Sequence, residues 1–417
     1  MSTLKPSHVA AVAAGNALEF YDFLTYGFFA AQIGRTFFPS TIPNASLLAS
    51  LATFGAGFLM RPVGALVIGR LADKAGRKPA MLTSFGLMGL SILALALVPS
   101  YAAIGPLAGV LVVLCRLAQG FALGGEVGPS TAYLVEVSPP RRRGLIVSFQ
   151  YVGQQAAVLA AGVVGFTLAH VIPDQALDAW GWRLAFLLGL LIIPFGVILR
   201  NNLAETLDAE ERAAAPAAPL TPPLIRLLVL GLVLLAGGTT TTYLGNYMTT
   251  YATETLHMAK TLGFAATIAV GLFGMAGALI GGSLSDRLGR KPVMLLPWAV
   301  LMLGLVPMFT AVATSRSGAA LIGASAALSL TNEIAISAVL VALTEGLPKH
   351  IRSGALGLIY ALSISVFGGS TQFTVAWLTG VTHSPLAPAW YATAAVAIAL
   401  VAMLLLPESA PVKIKKS

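Results

Sequence analysis

Six ionisable residues stand inside long apolar runs of this chain: Glu19, Asp22, Arg61, Arg116, Glu126 and Glu333. At the centre of a membrane-spanning helix each costs roughly 2.5 to 3.5 kcal/mol on insertion scales, so each needs a reason to be there. Two kinds of chemistry suit the set. A guanidinium binds an anion through charge-assisted hydrogen bonds, and a carboxyl withdrawn from water takes up and releases a proton. Arg116, Gln119, Leu123 and Glu126 fall on one face of a helix, as do Glu19, Asp22 and Tyr26 on another. Counted from the ends of an outward-running first helix and an inward-running fourth, Glu19, Asp22 and Arg116 reach a similar depth, where they can meet.

Two readings of these charges stay open. In one, Asp22 with Arg116 and Glu126 with Arg61 are fixed ion pairs that hold helices together. In the other, Asp22 stays ionised beside Arg116 until an incoming anion captures the guanidinium, and Asp22 is then free to take a proton. Glu333 stands apart, because no Lys or Arg lies inside a later span to neutralise it. It reads as a second proton site, as a sodium ligand with Asn332, Thr331 or Ser329, or as a protonated hydrogen-bond donor.

Uncharged polar residues at similar depths are costly against lipid and point to a shared cavity. They are Asn16, Gln150, Gln154 and Gln155 in the earlier spans, and Thr239 to Thr242, Tyr243, Asn246, Tyr247 and Tyr360 in the later ones. Tyr243 and Tyr247 share a face with Asn246 beside them. The candidate anion site is therefore Arg116, Asn16, Glu19, Tyr26, Gln119, Gln150, Gln154, Tyr243, Asn246 and Tyr247. The candidate proton carriers are Asp22, Glu19, Glu126 and Glu333.

Composition says what must position these residues. Of 417 residues, 57% are hydrophobic and only 10% charged, against roughly 25% in a soluble domain. A mean hydropathy of +0.85 leaves lipid as the natural solvent. The net charge of +9 is scattered between apolar runs rather than clustered, which argues against nucleic acid. A single cysteine, Cys115, excludes an intramolecular disulfide, and the five histidines form no metal-binding pair. No nucleophile and base pairing stands out and no loop is long enough to house one, so an enzyme is not expected, nor a bound metal or cofactor.

A span needs about 20 apolar residues, and the runs divide into twelve, near 9–34, 46–69, 80–99, 102–134, 145–171, 182–200, 224–250, 261–284, 292–313, 318–343, 352–381 and 387–407. The first carries Glu19 and Asp22 and is too long for a signal-peptide core, so it is expected to be retained. Alternate loops hold 19 of the 25 Lys and Arg residues, which puts both termini in the cytoplasm. Trp180 and Trp182 suit an anchor at the opposite interface. Gly120 with Gly124, and Gly274 with Gly277, allow close helix approach.

The sequence repeats at long range. G-R-L-A-D-K-A-G-R-K-P at Gly69 to Pro79 returns as G-S-L-S-D-R-L-G-R-K-P at Gly282 to Pro292. Glu136, Pro139 and Arg143 are echoed by Glu345, Pro348 and Arg352. Two six-helix halves are implied, 1–200 and 224–417, joined by a Pro- and Ala-rich cytoplasmic linker at 201–223. Asp73 with Arg77, and Asp286 with Arg290, offer charge clamps between helix ends. They read as gating residues or as plain topology signals, and their duplication favours the gate.

This loop motif resembles that of the major facilitator superfamily, over the whole chain. Finer motifs resemble its metabolite:proton symporter family: G-N-A-L-E-F-Y-D-F-L-T-Y-G-F-F-A at Gly15 to Ala30, R-P-V-G-A at Arg61 to Ala65, R-L-A-Q-G-F-A-L-G-G-E at Arg116 to Glu126, W-G-W-R at Trp180 to Arg183 and F-G-G-S-T at Phe367 to Thr371. Q-Y-V-G-Q-Q at Gln150 to Gln155, the T-T-T-T-Y run ending at Tyr243 and A-L-T-E-G-L-P at Ala342 to Pro348 are similar to citrate and tricarballylate carriers. The resemblance implies an all-α fold of twelve transmembrane helices, a monomer in a bacterial inner membrane, and alternating-access symport of a small organic anion with protons, sodium being the other coupling ion. Citrate or a related tricarboxylate is the expected cargo, with 2-oxoglutarate, shikimate or betaine as alternatives. Only ten residues follow Pro407, too few for the coiled-coil tail of osmosensing members. Sugar:proton carriers of the superfamily pair an Asp on helix 1 with an Arg on helix 4, which match Asp22 and Arg116. Three negative charges entering against 100 mV cost roughly 7 kcal/mol, so about three protons would make import of a trianion electroneutral.

Overall fold

A computed structural model describes residues 6–75, 77–124, 131, 134–136, 138–190, 221–348, 351–411 and 413. The linker residues 201–220 and Glu126 lie outside these, as do the side chains of Glu19, Asp73 and Arg77. Every regular element among the described residues is helical. Eight helical stretches are long and apolar enough to cross a bilayer, and Thr83–Leu97 and Leu107–Ala122 are shorter apolar helices.

The first apolar run forms α1 (Pro6–Phe28) and α2 (Ala30–Phe37), and the second forms α3 (Ala45–Leu59) and α4 (Arg61–Ala75). α5 (Arg77–Leu97), α6 (Leu107–Ala122), α7 (Arg143–Val171) and α8 (182–190) follow. After the linker come α9 (Pro222–Thr250), α10 (Lys260–Leu288), α11 (Arg290–Ser315) and α12 (Gly318–Gly346). α13 (Arg352–Ser363), α14 (Gly369–Thr382) and α15 (Ala387–Leu405) complete the chain, with a wide π-turn at Ile364–Gly368 between α13 and α14. These lie close to the spans expected from hydropathy.

The break between α3 and α4 has a local cause. Pro62 has no N–H to give the Phe58 carbonyl, which keeps only the N–H of Met60 from its own helix. Ser365 Oγ, from the π-turn in the C-terminal half of the sequence, donates to that oxygen at 2.7 Å. Beside this bond, a methyl on Gly55 would lie 2.6 Å from the Gly369 carbonyl, so α3 and α14 touch backbone to backbone.

The longest contact between helices before and after the linker is α7 against α10. At one end Gly144 packs on the Gly282 carbonyl, where an added Cβ would meet it at 2.5 Å. Farther along, Gly271 lies on Leu159, Gly162 on Ile268 and Gly165 on the Phe264 ring. Small residues permit this approach where lipid supplies no hydrophobic force between helices. Within the N-terminal helices, Gly57 and Gly120 hold α3 and α6 together in the same way. On the outside, Leu303 is 73% exposed and Trp390 60%, as lipid-facing side chains should be. Trp182 departs from its expected interfacial place: it is fully buried, edge-on to Phe37 and Phe186, while Trp180 stays half exposed.

Candidate functional site

Arg116 on α6 is fully buried. Its Nη1 donates to Gln119 Oε1 one turn on, at 2.6 Å. The guanidinium lies over the rings of Phe23 at 4.1 Å and Tyr26 at 4.5 Å, so π-faces take part of its charge. Nε and Nη2, the edge that grips a carboxylate with two parallel bonds, have no hydrogen-bond partner. Arg61 on α4 sits nearby over Phe23 and Phe58, each at 4.6 Å.

Asp22 is buried on α1 but forms no ion pair with Arg116, contrary to the pairing considered from the sequence. The cause is local packing. Phe23 and Tyr26 occupy the α1 surface under the guanidinium, while Asp22 Oδ1 packs against Gly189 of α8 and has no hydrogen-bond partner. Tyr21, next to it, donates to the Ala185 carbonyl at 3.2 Å and fixes α1 on α8. Glu19, on α1, and Glu126, after α6, cannot be placed in this arrangement, being outside the described side chains.

A cavity of about 20 Å³, room for about one water, lies between α1, α7, α9, α12 and α13. Gln154, Gln155, Thr239, Thr242, Tyr243, Asn246 and Tyr360 line it as the sequence suggested, joined by Phe20 and Tyr151. Gln154 Nε2 donates to Tyr360 Oη at 3.2 Å across the two halves of the sequence. Tyr26 and Gln119 belong instead to the shell of Arg116. Asn16 donates to the Gln150 backbone carbonyl at 2.6 Å, tying α1 to α7, and the buried Gln150 side chain does not line the cavity. Nor does Tyr247, which is buried one turn beyond Tyr243.

Glu333 on α12 is buried at the cavity's edge. Its Oε1 accepts from Thr242 Oγ1 at 3.2 Å and from Asn332 Nδ2 at 3.4 Å. Asn332 also donates to Thr242 at 2.9 Å and accepts from the Trp298 indole at 3.1 Å. The sequence placed Asn332 and Glu333 together but gave no sign of Thr242 or Trp298 as partners, since these come from other helices.

Charged residues bridge helices at both ends of the bundle. On the face rich in Lys and Arg, Asp286 accepts from the backbone N–H of Gly144 at 2.8 Å and of Leu145 at 3.0 Å, capping the positive N-terminus of α7. Arg290 bonds Asp286 at 2.8 Å and Glu345 at 3.1 Å, and Glu345 in turn bonds Arg143 at 3.2 Å. Arg352 reaches Glu136 at 3.6 Å, so the two Glu/Arg echoes pair reciprocally. The opposite face holds a set the sequence reading passed over: Arg35 with Glu254 at 3.3 Å and Asp178 at 3.7 Å, and Lys260 with Asp178 at 2.8 Å and Asp174 at 3.4 Å. Its one sequence signal is that acidic residues gather where basic ones are few.

The chain as a whole is similar to known proteins. The Major Facilitator Superfamily family matches residues 24–371. A citrate-proton symporter of Klebsiella pneumoniae is 35% identical over 396 residues, covering 94% of this chain and 89% of that protein. An alpha-ketoglutarate permease of Escherichia coli (strain K12) is 36% identical over 409 residues, 95% and 93% of the two chains. A glycine betaine/proline/ectoine/pipecolic acid transporter of Dickeya dadantii is 34% identical over 423 residues, 96% and 83%. Among solved structures, a D-xylose-proton symporter superposes with a TM-score of 0.75 at 18% identity over 98% of this chain and 99% of that one, which shows a shared fold.

Proposed function

The chain belongs to the major facilitator superfamily, and from that premise we propose that it imports citrate or a related tricarboxylate together with protons. It is a multi-pass membrane transporter, not an enzyme. One observation carries the substrate reading: a fully buried guanidinium whose Nε and Nη2 edge lacks an acceptor. A buried cation with open donors is costly, and a substrate carboxylate supplies the missing partner. Identity to citrate-proton symporters supports the choice of a tricarboxylate and of the proton.

Residues 1–200 and 224–417 act as two halves that rock about the central cavity, joined by the linker at 201–223. The central cavity has space for about one water, so it must widen before a tricarboxylate enters. The rim of Arg143, Asp286, Arg290, Glu345 and Arg352 faces the cytoplasm, as the distribution of Lys and Arg suggests, and both termini lie on that side. Asp73 and Arg77 hold the positions of Asp286 and Arg290 in the repeated motif, and the gating role of the first half falls to them by that repeat. Asp22, unpaired with Arg116, serves as a proton carrier rather than as a fixed counter-ion.

The experiment is uptake of labelled citrate by proteoliposomes under an inward proton gradient, with tricarballylate, 2-oxoglutarate, shikimate and betaine as competitors. Uphill accumulation with competition by tricarballylate is expected. Stronger competition by 2-oxoglutarate would shift the reading to the dicarboxylate, which the alpha-ketoglutarate permease relative favours. Accumulation of betaine instead would sink the anion reading.

A further inference from the structure

Glu333, like Asp22, is a buried carboxyl for which the site above gives no counter-ion. The charged residues of α7, α9, α10 and α11, which pack against α12, stand at the ends of those helices. The titratable groups near the carboxyl are the phenols of Tyr151 on α7 and Tyr360 on α13, with Tyr243 of α9 lining the same cavity. Phenols are neutral at physiological pH and offer no positive charge.

The hydrogen bonds around Glu333 run in one direction, and their origin fixes it. An indole N–H only donates, so Asn332 must present its Oδ1 to Trp298 and its Nδ2 to Thr242. Thr242 Oγ1, already accepting from Asn332, then gives its own proton to Glu333 Oε1. Oε1 is thereby pinned as an acceptor. Oε2 is buried with no partner, and so is Oε1 of Gln155, whose side chain packs on Gly274 of α10, one turn from Gly277, on which Glu333 packs. Gln155 comes from α7, in the other half of the sequence, and lies beside Ser329 there. One proton on Oε2 supplies the donor that both orphaned oxygens lack.

Building on the proton-symport reading, we propose that Glu333 Oε2 holds a coupling proton and shares it with Gln155 Oε1, so that protonation ties α12 to α7 across the two halves. When the proton leaves Oε2 for water in the cavity, the carboxylate requires a donor from Gln155 in place of an acceptor. Gln155 must then turn its amide, or the seam must open. Loss of one proton in this way loosens the contact that closes the two halves upon each other. Thr242 and Gln155 both line the cavity, which gives the proton its path.

The test uses the full chain, purified and reconstituted. Glu333→Gln, the neutral mimic of the protonated form, is expected to keep citrate counterflow and to lose uphill accumulation under a proton gradient. At neutral pH the wild type should show a carboxylic-acid C=O infrared band that Glu333→Gln lacks. Wild-type accumulation in the variant, or an unchanged band, would overturn the proposal, as would wild-type transport driven by sodium in place of protons. Should Glu333→Gln fail to fold, Gln155→Leu keeps the carboxyl and removes the acceptor: a shifted band is expected, and an unmoved one overturns the shared proton. If the wild type itself did not accumulate citrate, the function proposed above would fall, while the infrared band would still decide whether Glu333 carries a proton.

Discussion

At the scale of residues, the guanidinium edge of Arg116 carries the most weight. Arg116→Lys keeps the charge but loses the planar pair of donors and the stacking on Phe23 and Tyr26. A lost charge-assisted bond is worth about 1.5–3 kcal/mol, so citrate affinity should fall by about tenfold to a hundredfold by calorimetry on the purified protein. Unchanged affinity would remove Arg116 from the site. This residue and Glu333 were legible in the sequence because a charge inside an apolar run announces its own cost. Gln119 and Asn332, beside them on the same helices, were legible too, but Phe23 over Arg116 and Thr242 against Glu333 were not. Helical spacing put Asp22 on the face of Tyr26, which does meet Arg116, yet one turn back the Asp22 carboxyl packs against Gly189 of α8 instead. Gln155 is one residue from Gln154 in the chain, and only the crossing of α7 with α10 and α12 shows that each serves a different partner.

At the scale of elements, the spans were legible because about 20 apolar residues are needed to cross a bilayer and the chain has little else. The π-turn at Ile364–Gly368 was not, since it answers to a carbonyl freed by Pro62 some three hundred residues earlier. Another element invisible in sequence is the strap after α15. Burial works to raise the Glu408 carboxyl, but backbone N–H groups of Ala410, Arg290, Lys291 and Ser409 outweigh it and hold the group below the usual carboxylate range. A depressed native value means that the ionised form ties the strap to the start of α11. That contribution is complete above the ordinary glutamate value of about 4.3 and is lost as pH falls below it. Acidification should therefore lower the protection of the Arg290 and Lys291 amides, measured against their intrinsic exchange rate at each pH, in wild type, and Glu408→Gln should show the lowered protection already at neutral pH. Identical protection in the two proteins at neutral pH would refute the strap.

At the scale of the whole molecule, the two rims are bridged by unequal means. In the outer set Arg35 has 45% of its side chain exposed and Glu254 24%, and exposed pairs contribute about 0–1 kcal/mol each and weaken with salt. In the inner set Arg290 is fully buried and Glu345 nearly so, with Asp286 capping a helix besides. The outer rim is the more weakly bridged, so the molecule should open outward more readily than inward. A cysteine at Thr239, on the cavity wall, with Cys115 replaced by Ser, reports this through its reaction with a membrane-impermeant thiol reagent added outside. Removing both outer cations, in Arg35→Gln with Lys260→Gln, leaves Asp174, Asp178 and Glu254 to repel one another and should speed labelling. Raised ionic strength should do the same in wild type, because the outer pairs are the screened ones. Glu345→Gln, which releases Arg143 and Arg290, should slow labelling instead by favouring the inward-open form. Opposite signs from the two rims are what alternating access requires; the same sign from both would mean that they do not trade off within one moving body.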